Sequence, residues 1–235
     1  MKKIILLIGL ISLLVCSVSA YPAHNYDTYV SDLDTTPTAA DAEIDQEAIG
    51  YTGYSSTNCL ASYAYTHFPN DAIFFFNGHG ITYTDNVKGG GIQFGGDSVI
   101  IAKSYNGNPI NKAKYCITDY SYNELDNVLL AVYLACYSAV ESQYHESLVR
   151  HTVEKGADTC IGFQGSIIES KSCRWSEQFW EYLKNGETIA DAADDAKNDC
   201  YWQYPFGYHG IDAYILGVET AGNSNNYLIP ARYGV

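Results

Sequence analysis

Positive charge is scarce in this 235-residue chain: 13 Lys and Arg stand against 27 Asp and Glu, a formal net charge of −14 at pH 7. Nucleic acid and anionic membrane both call for a basic face, so neither is expected as a partner. Charged residues of either sign are few, at 17% of the chain, where a disordered segment would be rich in them. Several motifs are missing as well. No C-x-x-C pair offers a zinc ribbon or redox centre, and His145-Glu146 lacks the second histidine of a zinc-protease helix. No G-x-S-x-G marks a serine hydrolase. The acidic run Asp191, Asp194, Asp195 and Asp199 lacks the spacing of a calcium loop and reads as a solvated helix face. No metal and no other cofactor is expected.

What is present is a globular composition, 47% hydrophobic with 22 tyrosines, about one domain's worth of chain. One apolar run stands apart. Lys2 and Lys3 precede residues 4–15, and Val18-Ser19-Ala20 offers small residues for a cut after Ala20. The run is shorter than the ~20 residues that span a bilayer, and its flanks are those of a secretory signal. Residues 1–20 therefore read as a signal peptide. The mature chain is expected to be secreted or extracytoplasmic, without membrane insertion once the signal is removed. Residues 21–37 read as a flexible lead-in or short pro-segment with one short strand near 26–30, and residues 38–235 as the folded domain.

Within that domain, residues 38–49 and 57–67 have helical composition, the second ended by Pro69. Three short continuous apolar runs, at 72–76, 128–135 and 159–163, are bounded by turn residues and read as strands buried on both faces. A hairpin is expected from 89–94 and 98–102 around Gly95-Gly96-Asp97. Ser121 and Glu124, and then Ser138 and Glu141, form capping-box patterns that predict a short helix and a helix running from 138 to about 155. Two more helices are expected at 172–184 and 187–200, then a last strand at 211–216. Strands alternating with helices imply an α/β fold around a mostly parallel sheet.

In open α/β sheets, ligands collect at the carboxyl ends of the strands. One buried strand ends in Asn77-Gly78-His79-Gly80 and the next in Ala135-Cys136-Tyr137-Ser138. A histidine and a cysteine delivered to adjacent strand ends suit a cysteine hydrolase, whose nucleophile is the thiolate. Cys136 would attack, His79 would move protons, and the Gly80 and Cys136 amides would form an oxyanion hole. A helix opening at Ser138 would lend Cys136 its dipole. The blander alternatives are an inert core thiol and a surface histidine.

The order of these two motifs resembles the caspase-like superfamily of cysteine peptidases, which includes gingipains, clostripain, legumains, separases and CHAT-domain proteases. Gly156-Ala157-Asp158 leading into 160–166, and 179–186 followed by 190–196, resemble the later elements of that group, so the likeness runs from about residue 49 to 216. The His79-to-Cys136 separation is close to the ~50 residues of caspases. The resemblance implies a three-layer sandwich with helices on both faces of the sheet and hydrolysis of protein or peptide substrates. Caspases carry glutamine before Ala-Cys where this chain has Leu134, so aspartate specificity is not implied. Relatives directed at lysine or arginine use an acidic pocket residue. Glu169 is the candidate for that role, with an exposed loop carboxylate as the alternative. A catalytically silent binding or scaffold domain, and a thiol hydrolase of non-peptide amides or esters, stand as rival functions.

Export favours disulfides, but a nucleophile stays reduced, so Cys136 is expected unpaired. Cys160 lies within a strand and packs as a small apolar residue. Cys173 and Cys200 bracket two consecutive helices and are expected to pair, with Cys59–Cys116 as the complement. Four reduced thiols are the alternative.

Overall fold

The computed structural model describes residues 21–30, 33–84, 87–103, 114–141, 146–202 and 218–228. Its central sheet has six strands: β1 (Pro22–Asp27), β4 (Thr52–Thr57), β5 (Ile73–Asn77), β10 (Leu130–Leu134), β11 (Thr159–Phe163) and β12 (Val218–Gly222). They lie in the order β12-β11-β10-β5-β1-β4. Five run parallel, and β12 closes one edge antiparallel to β11. Short strands β2 (Tyr29–Val30) and β3 (Leu33–Asp34) pair with each other. A second sheet holds β6 (Gly80–Thr84), β7 (Val87–Gln93), β8 (Val99–Ile101) and β9 (Lys114–Cys116), side by side in chain order.

The buried runs explain the layers. Side chains alternate across a strand, so Ile73 and Phe75 enter one apolar cluster while Phe74 and Phe76 enter the other, all at 0% exposure. Each such side chain, fully buried, contributes about 1.5–3 kcal/mol. On the first face the sheet meets α1 (Thr36–Ala48), α4 (Glu169–Lys184) and α5 (Ile189–Trp202), through Trp175, Phe179, Trp180 and Ala193 among others. The second face meets α2 (Ala61–His67) and α3 (Leu148–Glu154), through Ala64, Leu148 and Val149. The result is the expected three-layer α/β sandwich.

Four local expectations need correction. Residues 22–27 are not a loose lead-in: β1 is an inner strand, paired with both β4 and β5. Its polar side chains, which hide the strand in the sequence, mostly find partners inside the fold. Asn25 and Gln46 exchange two amide hydrogen bonds of 2.8 Å, and His24 meets Asp71 at 2.5 Å. No helix opens at Ser138. Its buried hydroxyl donates to the Tyr133 carbonyl and accepts from the Phe163 N–H, and the helix begins at Leu148 under the Ser147 cap. At 121–124 the Ser121 N–H does reach the Glu124 carboxylate, yet Asn123 takes a left-handed φ of 61° and the segment stays a turn. Finally, the Cys173–Cys200 and Cys59–Cys116 bridges are not formed; Cys59, Cys116, Cys136, Cys160, Cys173 and Cys200 are all free. Cys173 instead accepts a hydrogen bond from Thr38, and Cys200 faces the Lys171 carbonyl. The strand expected at 211–216 lies outside the described residues.

Candidate active site

β5 and β10 are neighbours, and their register sets Asn77 beside Leu134. Pairing continues one residue further, where the Gly78 N–H donates to the Leu134 carbonyl at 3.2 Å. His79 lies two residues beyond Asn77, and Cys136 two beyond Leu134. The two side chains thus leave adjacent strands at the same level. Both are half-buried and both line one cavity of about 330 Å³ at the carboxyl end of the sheet. Asn77, Leu134, Ile167, Ile168, Glu169 and Ser172 complete most of its wall. A second cavity, of about 310 Å³ between α1 and α4, contains Cys173 but no histidine to serve a thiol.

Gly80 is fixed by packing. A Cβ there would stand 1.8 Å from the Cys136 carbonyl oxygen, so only glycine lets the two segments touch. The register also orients its amide. The Gln93 N–H donates to the His79 carbonyl at 2.9 Å, which makes His79–Gln93 a hydrogen-bonded antiparallel pair. The next pair, Gly80–Ile92, is then the non-bonded kind, and the Gly80 N–H points away from β7. The Cys136 N–H has no acceptor among the described residues.

The Cys136 sulfur is held by the main chain of one residue, Ile167, in the segment between β11 and α4. It accepts the Ile167 N–H at 3.2 Å and donates to the Ile167 carbonyl at 3.4 Å. The helix that comes close to the thiol is therefore α4, not a helix following the cysteine itself. Tyr137, the next residue, adopts a left-handed φ of 58°, which is uncommon for any residue but glycine. Its N–H donates to the Gly165 carbonyl at 2.9 Å, and its hydroxyl accepts from Ser166 at 2.7 Å.

Glu169 opens α4 and borders the cavity with an exposed carboxylate, so it is neither a remote loop residue nor a buried charge. Asn77, 1% exposed, was not singled out from the sequence; its side-chain amide nitrogen is buried without a partner beside the same cavity. The Gly165-Ser166 turn was visible in the sequence, but nothing there marks a main-chain contact from Ile167 to sulfur. At three other cysteines burial disfavours the thiolate. Burial pushes Cys59 up to about 12, with the Asp27 charge adding to it, and burial pushes Cys200 up to about 11. Cys160, wholly buried, is pushed well above the usual thiol range for the same reason.

No family model matches this sequence, and none of the curated proteins does. Solved structures do match. The Arg-specific cysteine proteinase gingipain R aligns with a TM-score of 0.52 at 9% identity, covering 88% of this chain and 48% of that one. The complex of the pro- and mature domains of Porphyromonas gingivalis RgpB aligns at 0.51 and 9%, covering 87% and 48%. Saccharomyces cerevisiae separase, in its complex with securin, aligns at 0.52 and 12%, covering 91% and 13%. The chain spans about half the length of the gingipain chains and a small part of separase. At such identities the likeness is one of fold, the caspase-like α/β sandwich.

Proposed function

We propose that this chain is an exported cysteine endopeptidase working through Cys136 and His79. The observation that carries the reading is their level placement on adjacent strand ends beside one cavity. Cys136 sulfur forms a bond to the scissile carbonyl carbon while the carbonyl oxygen takes up negative charge. The Gly80 and Cys136 amides are the candidate donors to that oxygen; the direction of the first, and the lack of an acceptor for the second among the described residues, support the role. His79 receives the thiol proton and passes it to the departing amine as the C–N bond breaks. Water, deprotonated by His79, then cleaves the thioester, giving a carboxylic acid and the free thiol.

The position of Glu169 at the cavity border supports a preference for lysine or arginine as the residue whose carbonyl is attacked. Export rests on the lysine-led apolar segment at residues 2–20. Among the described residues no helix is long and apolar enough to cross a membrane. A peptide library incubated with purified protein tests the reading. Cleavage C-terminal to basic residues, lost in Cys136→Ala, is expected. A library left intact by the wild-type protein contradicts the peptidase reading, and cleavage without a basic preference contradicts the role of Glu169.

A further inference from the structure

Two segments meet around the Cys136 sulfur. The turn 136–138 carries the nucleophile, and residues 164–168 join β11 to α4. Their contacts interleave: Tyr137 N–H to Gly165 carbonyl, Ser166 hydroxyl to Tyr137 hydroxyl, and Ile167 N–H to Cys136 sulfur. The Tyr137 carbonyl in turn accepts from the Gly90 N–H of β7 at 3.4 Å, and Gly80 packs against the Cys136 carbonyl. The left-handed Tyr137 is thus gripped on its N–H, its carbonyl and its side chain. Rare backbone conformations persist where surrounding contacts over-determine them, and they gather at sites of function. Among these contacts, Ser166–Tyr137 is the one that joins two side chains, and it lies one residue before the Ile167 N–H that holds the sulfur.

We infer that Tyr137 and Ser166 are positioning residues: their hydrogen bond fixes the 164–168 segment so that the Ile167 N–H stays on the Cys136 sulfur. The inference rests on the peptidase reading above for its link to turnover, but the placement of the sulfur can be read without turnover. Neither side chain needs to touch substrate. Both are half-buried, so each tolerates removal of a hydroxyl without opening a core cavity.

The test compares Tyr137→Phe, Ser166→Ala, the double variant and Ser166→Thr with wild type. Two rates are measured: peptide turnover, and alkylation of Cys136 by iodoacetamide followed by mass mapping. Losing one such bond is expected to lower kcat roughly three- to tenfold with KM within about twofold. Alkylation should slow by a similar factor. The double variant should be no worse than either single one, because both remove the same bond, and Ser166→Thr should restore both rates. Effects that multiply in the double variant, or a melting temperature that falls while both rates stay at wild-type values, would overturn the inference. If wild-type protein cleaves no peptide, the peptidase reading falls. The alkylation series then decides the positioning claim alone: slowed and non-multiplying supports it, unchanged rejects it.

Discussion

At the scale of single residues, Cys136 and Gly80 fail in different ways when changed. Cys136 is half-buried at a strand end and its thiol contributes little packing, so Cys136→Ala should keep the fold and lose all turnover. Near-ultraviolet circular dichroism together with a peptide assay checks both halves. A variant that does not fold would mean the thiol is a core residue. Gly80→Ala should lose activity and stability together, because its methyl group would enter the Cys136 carbonyl. Overpacking of that kind costs typically about 1–3 kcal/mol, and a displacement of about 1 Å at the nucleophile costs on the order of 100-fold in rate. A Gly80→Ala variant with wild-type kcat would show that this contact does not set the sulfur's position.

At the scale of elements, the ends of β1, β10 and β11 carry buried polar groups with unequal satisfaction. Ser138 ties β10 to β11 through two hydrogen bonds at 0% exposure. Ser138→Ala leaves the buried Phe163 N–H without its hydroxyl acceptor, while the Tyr133 carbonyl keeps the Ala135 N–H, and should destabilise by about 1–3 kcal/mol, measurable by urea unfolding. Asp27, at the end of β1 and 3% exposed, is the opposite case. One oxygen accepts from Thr57 and the other has no partner. Burial raises its carboxyl above the usual range, the like charge of Asp34 adds to this, and the Thr57 bond opposes it. A folded value above the unfolded one means the folded state binds the proton more tightly. Stability from this group is therefore gained as pH falls through the folded value and lost as pH rises. Asp27→Asn should raise the melting temperature at neutral pH, with the gain shrinking toward about pH 4; a gain that grows on acidification would contradict this. These same elements mark where the sequence was readable. β5, β10 and β11 announce themselves because strands covered on both faces are almost wholly apolar. β1 is an inner strand, largely buried, but hides its place, since Asn25, His24 and Asp27 find partners only in the folded sheet. β4 leaves no signal, and only its last residue, Thr57, falls in the helix expected at 57–67, because an edge strand with exposed Tyr54 and Ser55 needs no apolar pattern. His79 and Cys136 were legible because each follows a legible strand. The Ile167 contact and the left-handed Tyr137 were not, being properties of backbone path rather than residue type.

At the scale of the whole molecule, β1 begins within two residues of the expected cut after Ala20, and the Tyr21 carbonyl already accepts from Thr52. Protein purified from a secreting host should therefore start at Tyr21 and fold, whereas deleting residues 21–27 removes an inner strand and should leave an insoluble or unfolded chain. A soluble, active deletion would restore the pro-segment reading of residues 21–37. The central claim is that Cys136 and His79 together cleave peptide bonds, and one experiment meets it directly. Wild-type protein, Cys136→Ala and His79→Ala are each incubated with a peptide library and, separately, with a peptidyl electrophile, then analysed by mass spectrometry. The account predicts cleavage by wild type alone and a single covalent adduct on Cys136. Cleavage that survives in Cys136→Ala, or an adduct mapped to another cysteine, would contradict it.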